Sequence, residues 1–135
     1  MTTADTSIAV AAALPWHEFH GRARSALSRR RPRLIAQVAV ETYSVLTRLP
    51  PPQRVPASIA WTYLREAFVL PALVLAPTGY AELLGVAAAE RIVGGAVYDA
   101  LVAATAREAG AELLTLDERA VRTYELLGVD FQLVR

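Results

Sequence analysis

Short apolar segments alternate along this chain with longer segments of helical periodicity. In the longer segments apolar residues return every three or four positions, as they do on the buried side of a helix; Val38, Leu46 and Leu49 mark one such side. The short segments are bounded by Pro, Gly or polar residues, which is typical of strands. The pattern predicts strands at residues 2–4, 33–36, 73–75, 113–115 and, as an edge strand, 130–134.

Helices are predicted between these strands. Pro and Gly residues interrupt the periodic segments and mark their ends. The predicted helices cover residues 8–14, 16–30, 38–49, 56–68, 77–91, 96–106 and 118–127. Short strands alternating with helices indicate an α/β fold with a central, mainly parallel sheet flanked by helices. A chain of 135 residues is one domain of ordinary size, and no internal repeat divides it.

The composition narrows the class of protein. Hydrophobic residues make up 54% of the chain and charged residues 20%, which favours a globular protein over a disordered one. The absence of Cys excludes disulfides, thiolate zinc sites and a Cys nucleophile. No apolar run approaches membrane-spanning length, and residues 1–14 contain no basic leader. We therefore expect a cytoplasmic protein with no membrane partner.

Every basic residue apart from the two His is Arg, because the sequence contains no Lys. The lack of Lys excludes a Walker A phosphate loop and a Schiff-base enzyme. It also argues against a haloacid-dehalogenase-like phosphatase. Such enzymes need a second Asp two residues after the first, where this chain has Ser7, and a Lys further on. A small-molecule phosphatase is thus a poor match.

The only dense charge run lies at the end of the second predicted helix. Cations late in a helix suit its dipole, so a solvated helix end explains the run. Arg side chains also match phosphate oxygens in geometry, so a phosphate-contacting, RNA-binding patch is the competing interpretation. The run consists of Arg22, Arg24, Arg29, Arg30, Arg31 and Arg33.

His17 and His20, three residues apart, are interpreted as solvated surface histidines, since no carboxylate motif accompanies them.

Four carboxylates are predicted at one edge of the sheet. Asp5 follows the first strand and Asp117 follows a later one, whereas Glu41 and Asp99 lie early in helices. Strand ends and helix starts of a parallel sheet with right-handed crossovers share one edge. Helix capping by Asp5 and a favourable helix dipole at Glu41 are the simpler explanations for those two residues.

These acids indicate a metal site. Four carboxylates with no Lys among them need a cation, and hard oxygen ligands select Mg²⁺ or Mn²⁺ over zinc. Such a site suits phosphodiester hydrolysis, because the metal activates water and offsets charge on the phosphate oxygens. Thr6, Ser7 and Thr115 are candidates for orienting the ligands or a water.

The order and flanks of these residues resemble the PIN-domain ribonucleases, specifically the VapC-type toxins of type II toxin–antitoxin systems. The resemblance covers essentially the whole chain. It rests on Asp5-Thr6-Ser7, on Glu41 early in a helix, on Tyr98-Asp99-Ala100-Leu101 continuing to Thr105-Ala106, on Leu114-Thr115-Leu116-Asp117, and on the closing Tyr124 to Val129 segment.

The resemblance implies one PIN-like nuclease domain over residues 1–135. It implies an Mg²⁺- or Mn²⁺-dependent endoribonuclease acting on tRNA or other structured RNA. Carried over by position, Asp5, Glu41, Asp99 and Asp117 would be the catalytic, metal-binding quartet, with Thr115 beside them. The family's members commonly form homodimers and are neutralised by a VapB-type antitoxin. The aromatic helix containing residues 59–68 is a candidate part of the antitoxin groove.

A non-catalytic function stays open at this point. A PIN-like module that only binds RNA or an antitoxin would use the Arg22–Arg33 face. RNA binding by such a module would persist without metal and would depend strongly on salt.

Overall fold

The computed structural model describes residues 1–135 as seven α-helices and five strands. A single 3₁₀ turn, Glu118–Ala120, precedes the last helix. The elements in chain order are β1 Thr2–Ala4, α1 Thr6–Ala13, α2 His20–Arg30, β2 Arg33–Ile35, α3 Ala36–Thr47, α4 Ala57–Ala67, β3 Val69–Leu73, α5 Gly79–Ala89, α6 Ala96–Glu108, β4 Glu112–Thr115, α7 Val121–Leu127 and β5 Phe131–Leu133.

The five strands form one parallel sheet in the order β3-β2-β1-β4-β5. The predicted α/β class with a parallel sheet is confirmed. Strand β1 lies at the centre, in register with β4 through the pairs Thr2–Glu112, Thr3–Leu113 and Ala4–Leu114. Because all strands run the same way, their carboxyl ends meet at one edge, which is where ligands gather in open α/β sheets.

Small residues allow the helices to pack closely on this sheet. In α1, Ile8, Ala9 and Ala11 have no solvent exposure, and in α6 the same holds for Ala100 and Ala103. A side chain no larger than a methyl group lets two backbones approach, and each buried position removes apolar surface from water. Helices α1 and α6 are thereby fixed against the sheet, with their N-terminal ends at its carboxyl edge. None of the helices has the length and apolar content needed to span a bilayer.

The edge strand β3 lies earlier than predicted. The sequence pattern placed it at residues 73–75, but the structure pairs Val69 with Arg33 and Leu73 with Ile35. The observed strand contains Pro71, and proline cannot donate to a sheet ladder. An edge position with an irregular register accommodates it, and the carbonyl of Pro71 accepts a hydrogen bond from Arg33 Nε at 2.7 Å.

Helix α2 begins at His20 and not at residue 16 as predicted. Residues 14–19 instead form turns, in which the amide of His17 donates to the carbonyl of Leu14. Apolar residues with helical spacing occur in this segment, so periodicity alone did not separate turn from helix. The difference matters because these turns carry His17 and Phe19 to the sheet's carboxyl edge.

Candidate active site

The four predicted acids line one cavity at the carboxyl edge of the sheet. Asp5 directly follows β1, and Asp117 lies two residues beyond β4. Asp99 is in the first turn of α6, while Glu41 is in the second turn of α3. The cavity has a volume of about 350 Å³, and its lining includes all four carboxylates. The remaining lining residues are Thr6, Ser7, Val10, His17, Phe19, Val102, Leu116 and Arg119.

Asp5 is buried, with 5% of its surface exposed, and it caps helix α1. Its Oδ1 accepts hydrogen bonds from the amides of Ser7 at 3.0 Å and Ile8 at 3.4 Å. The hydroxyl of Ser7 donates to the same oxygen. The capping explanation and the site explanation for Asp5 therefore both hold, since capping fixes the carboxylate at the cavity wall.

The other carboxylate oxygen of Asp5 has a different donor. Tyr124 Oη, on α7, donates to Asp5 Oδ2 at 2.7 Å, and the Tyr124 side chain is completely buried. Burial raises the pKa of Tyr124 far above its ordinary value, and the charge of Asp5 raises it further. The tyrosine therefore stays protonated and acts as a hydrogen-bond donor. The sequence pattern does not indicate a place in the site for Tyr124, because this residue lies 119 residues from Asp5 along the chain.

Burial also raises the pKa of Asp5, and the hydrogen bonds from Ser7, Tyr124 and the Ile8 amide oppose that rise. Donors directed at a buried carboxylate favour its ionised form. Since Oδ1 accepts three hydrogen bonds and Oδ2 only one, Oδ2 keeps a free lone pair. Asp5 thus presents one oxygen of fixed direction for a further ligand.

Ser7 and Thr115 connect Asp5 to Asp117. Ser7 Oγ accepts the amide hydrogen of Leu116 at 2.9 Å, and Thr115 Oγ1 accepts that of Asp117 at 3.0 Å. These contacts join the start of α1 to the loop after β4, so the two carboxylates are held by one hydrogen-bond network. Thr6 lines the cavity, and neither its hydroxyl nor its amide bonds to the acids.

The acids have little compensating charge. The one ion pair at the site joins Arg119 Nε to Asp117 Oδ1 at 3.8 Å, and the Arg119 side chain is 96% exposed, so the pair contributes little. The pKa of Asp99 is raised to about 6, first by burial and then by the negative charges of Asp117, Asp5 and Glu41. Three other carboxylates therefore act on Asp99 through space, which is the electrostatic condition that a bound cation relieves.

The cavity fits a hard divalent cation in its donor chemistry. All four acids offer carboxylate oxygen, the ligand type of Mg²⁺ and Mn²⁺. No three of these side chains converge closely enough to enclose an ion. Mg²⁺ does not require such a cage, because it usually keeps several waters and takes only one or two carboxylates from the protein. An open, acidic and oxygen-lined cavity suits that mode of binding.

One of the two histidines interpreted as surface residues lines the acidic cavity. His17 and His20 are both partly exposed. His17 lines the acidic cavity, and its Nδ1 accepts the amide hydrogen of Phe19 at 3.0 Å. His20 Nδ1 lies 2.9 Å from the carbonyl oxygen of Ala11. The turns before α2 bring both rings inward, which helical spacing did not reveal.

The predicted arginine patch is divided between two faces of α2. Arg22, Arg29 and Arg30 line a cavity against β4 and β5. Arg24 and Arg31 line separate cavities on the other side of the helix, beside Glu66. Arg22, Arg29 and Arg30 therefore line a different side of α2 from Arg24 and Arg31.

The sequence of acids, strands and helices matches the family model of the PIN domain over residues 3–126. The chain belongs to the PIN-domain family, among its VapC-type ribonucleases. It is 49% identical over 134 residues to Ribonuclease VapC40 of Mycobacterium tuberculosis strain H37Rv, an alignment that covers 99% of both chains. It is 43% identical over 125 residues to Ribonuclease VapC27 of the same strain, covering 93% of this chain and 90% of that relative. The resemblance drawn from the sequence is confirmed.

The Tyr124–Asp5 hydrogen bond of this PIN domain can be tested by Tyr124→Phe. We expect the free energy of unfolding to fall by about 1–3 kcal/mol, because a buried carboxylate loses a donor. We also expect Mn²⁺ to bind about tenfold more weakly, as when a supporting partner of a metal ligand is removed. Urea denaturation and isothermal titration with Mn²⁺ measure the two quantities.

Tyr80→Phe is the matched control, since Tyr80 is 43% exposed and lies outside the acidic cavity. Equal Mn²⁺ affinity in the Tyr124→Phe protein and the wild type would show that the hydroxyl does not position Asp5.

The raised pKa of Asp99 predicts a pH-dependent stability. With a folded-state pKa of about 6 against an ordinary value of 3.8, the folded chain binds more protons between these values. The free energy of unfolding therefore decreases as the pH rises through this window. In metal-free buffer we compare the free energy of unfolding of Asp99→Asn with that of the wild type. We expect the difference to shift by ~1 kcal/mol in favour of Asp99→Asn on going from pH 3.5 to pH 7, a figure that allows for solvent screening of the half-buried group.

Chemical denaturation of both proteins at the two pH values measures this difference. Glu118→Asn changes an exposed acid outside the cavity and serves as the control. A stability difference between Asp99→Asn and wild type that is the same at both pH values would contradict the predicted charge repulsion.

Proposed function

We propose that this chain is a metal-dependent endoribonuclease toxin that hydrolyses phosphodiester bonds of tRNA or another structured RNA. The observation that carries the proposal is the shared cavity of Asp5, Glu41, Asp99 and Asp117, in which three carboxylates raise the pKa of the fourth. Relatives named as ribonucleases over the full length of the chain support the same activity.

Asp5, Glu41, Asp99 and Asp117 are the residues that would hold Mg²⁺ or Mn²⁺. When bound, the ion supplies Lewis-acid chemistry that activates water and offsets charge on the phosphate oxygens. The protein contributes the positions of the ligands. Asp5 Oδ2 is directed by Tyr124, and Asp117 is directed through Thr115 and through its own Oδ1, which accepts the amide hydrogen of Arg119 at 2.9 Å.

Asp99 differs from Asp5 in having no hydrogen-bond donor of its own. Its pKa of about 6 means that a fraction of the molecules carries a proton on this carboxyl near neutral pH. A cation in the cavity favours the ionised form, because opposite charge lowers the pKa of a carboxyl. Metal binding and proton release from Asp99 are therefore coupled in this proposal.

The proposal includes a homodimer and neutralisation by a small VapB-type antitoxin. Large apolar side chains are exposed on two neighbouring helices: Val40 and Tyr43 on α3, and Ile59 and Trp61 on α4. Aromatic residues of this kind are enriched in protein interfaces. Glu41 lies between Val40 and Thr42 on α3, so a partner seated on that helix would also reach the acidic cavity. Sedimentation of the purified chain, alone and with the partner, measures both associations.

The activity is tested by cleavage of a total tRNA pool with Mg²⁺, Mn²⁺ or EDTA. We expect discrete fragments only with metal. Removing a supporting partner of a metal ligand lowers metal affinity or activity about 10- to 100-fold. Asp5 and Asp99 are themselves ligands in this proposal, so we expect Asp5→Asn and Asp99→Asn each to lower the cleavage rate by ~100-fold or more. Gel resolution of end-labelled fragments measures the rate.

Glu118→Gln is the matched control, because it removes an acid next to Asp117 that does not line the cavity. Cleavage that continues unchanged in EDTA, or in both Asp→Asn proteins, would rule out the quartet as the catalytic centre.

A non-catalytic RNA-binding module is the alternative function. The arginines on α2 favour it, because they would contact phosphates without needing a metal. A folded wild-type chain that binds RNA and leaves it intact across RNA substrates and metals would favour this alternative.

A further inference from the structure

A second cavity of opposite charge lies beside the acidic one. It has a volume of about 410 Å³ and lies between one face of α2 and the strands β4 and β5. We refer to it as the arginine groove. Its lining residues are Gly21, Arg22, Ser25, Ala26, Arg29, Arg30, Leu114, Gln132, Val134 and Arg135.

The positive charge of the arginine groove is largely uncompensated. No carboxylate side chain is among its lining residues. Arg30 is paired with Glu112, outside the groove, and its Nη1 donates to Gln132 Oε1 at 2.6 Å. Arg22 and Arg29 are in no ion pair, since the only other one in the chain joins Arg119 and Asp117. Two guanidinium groups are thus free to bind an anion.

The groove adjoins the acidic cavity at the start of α2. Phe19 lines the acidic cavity, and Arg22 Cζ, in the groove, lies 5.0 Å from the centre of the Phe19 ring. The two cavities are therefore neighbours on the same side of this helix end.

We propose that the arginine groove binds the phosphodiester backbone of the RNA strand on one side of the cleavage site. This inference rests on the proposed function, and it adds a subsite for flanking phosphates. Four carboxylates repel an RNA backbone, so positive charge outside the acidic cavity adds to the affinity for RNA. Guanidinium groups bind phosphate oxygens through bidentate hydrogen bonds. Arg22 and Arg29 lie two helical turns apart on one face of α2. Successive phosphates along a strand are the ligand that this linear arrangement fits.

The experiment compares two double variants of the same helix and the same charge. Arg22→Gln with Arg29→Gln removes the groove charge, while Arg24→Gln with Arg31→Gln removes two arginines from the opposite face of α2. Both are made in an Asp99→Asn background so that RNA stays intact in Mg²⁺. Fluorescence anisotropy measures binding of a labelled 12-nucleotide oligouridylate and of a tRNA pool between 50 and 200 mM salt.

We expect the groove variant to bind RNA about tenfold more weakly at the lowest salt. Each lost phosphate contact lowers the salt slope by ~0.7 for single strands, so its log–log slope is reduced by about 1.4. The opposite-face variant keeps the slope of the parent protein, since its arginines lie away from the acidic cavity. Thermal unfolding of every variant establishes that it is folded.

Equal slopes for the two double variants would overturn the proposal, because the charge would then act without regard to position. Absence of RNA binding by the parent protein would overturn it as well. Failure of the proposed function gives a different result. In that case the wild-type chain does not cleave RNA with metal, even if RNA binding depends on the groove arginines.

Discussion

The structure depends on keeping one buried carboxylate, that of Asp5, at the end of the central strand. Transfer of a charge out of water is unfavourable unless the group receives hydrogen bonds or a counterion. Asp5 receives them from the start of α1 and from Tyr124 on α7. The first and last parts of the chain therefore meet at this residue, and the packing of α7 is coupled to the geometry of the site.

The protein orients its acids with neutral donors and leaves their charge in place. Amides and hydroxyls hold Asp5 and Asp117, whereas Arg119, the one arginine in the cavity lining, is almost fully exposed. A buried Arg or Lys would have made the same fold easier to stabilise, but it would have neutralised the cavity. Burial and the remaining negative charge raise the pKa of Asp99 to about 6, so the acidic cavity lowers the stability of the metal-free protein when Asp99 is ionised.

Opposite charges lie next to each other along the path that an RNA strand would follow. The acidic cavity and the arginine groove are neighbours at the Arg22–Phe19 contact. Helix α2 therefore has two roles, since one of its faces is part of the core and another carries the groove arginines. The overall net charge of +1 conceals this separation, which makes the net charge a poor guide to what the surface binds.

The sequence alone determined the α/β class, the order of elements and the identity of the four acids, because alternating periodicities and acids at strand ends are local properties of the chain. It placed β3 at residues 73–75, which is too late, because the pairing of this edge strand with β2 depends on strand order and not on local periodicity. It could not find the contact of Tyr124 with Asp5 or the place of His17 in the acidic cavity. Those features are contacts between residues far apart in the chain, and packing alone decides which side chains share a cavity.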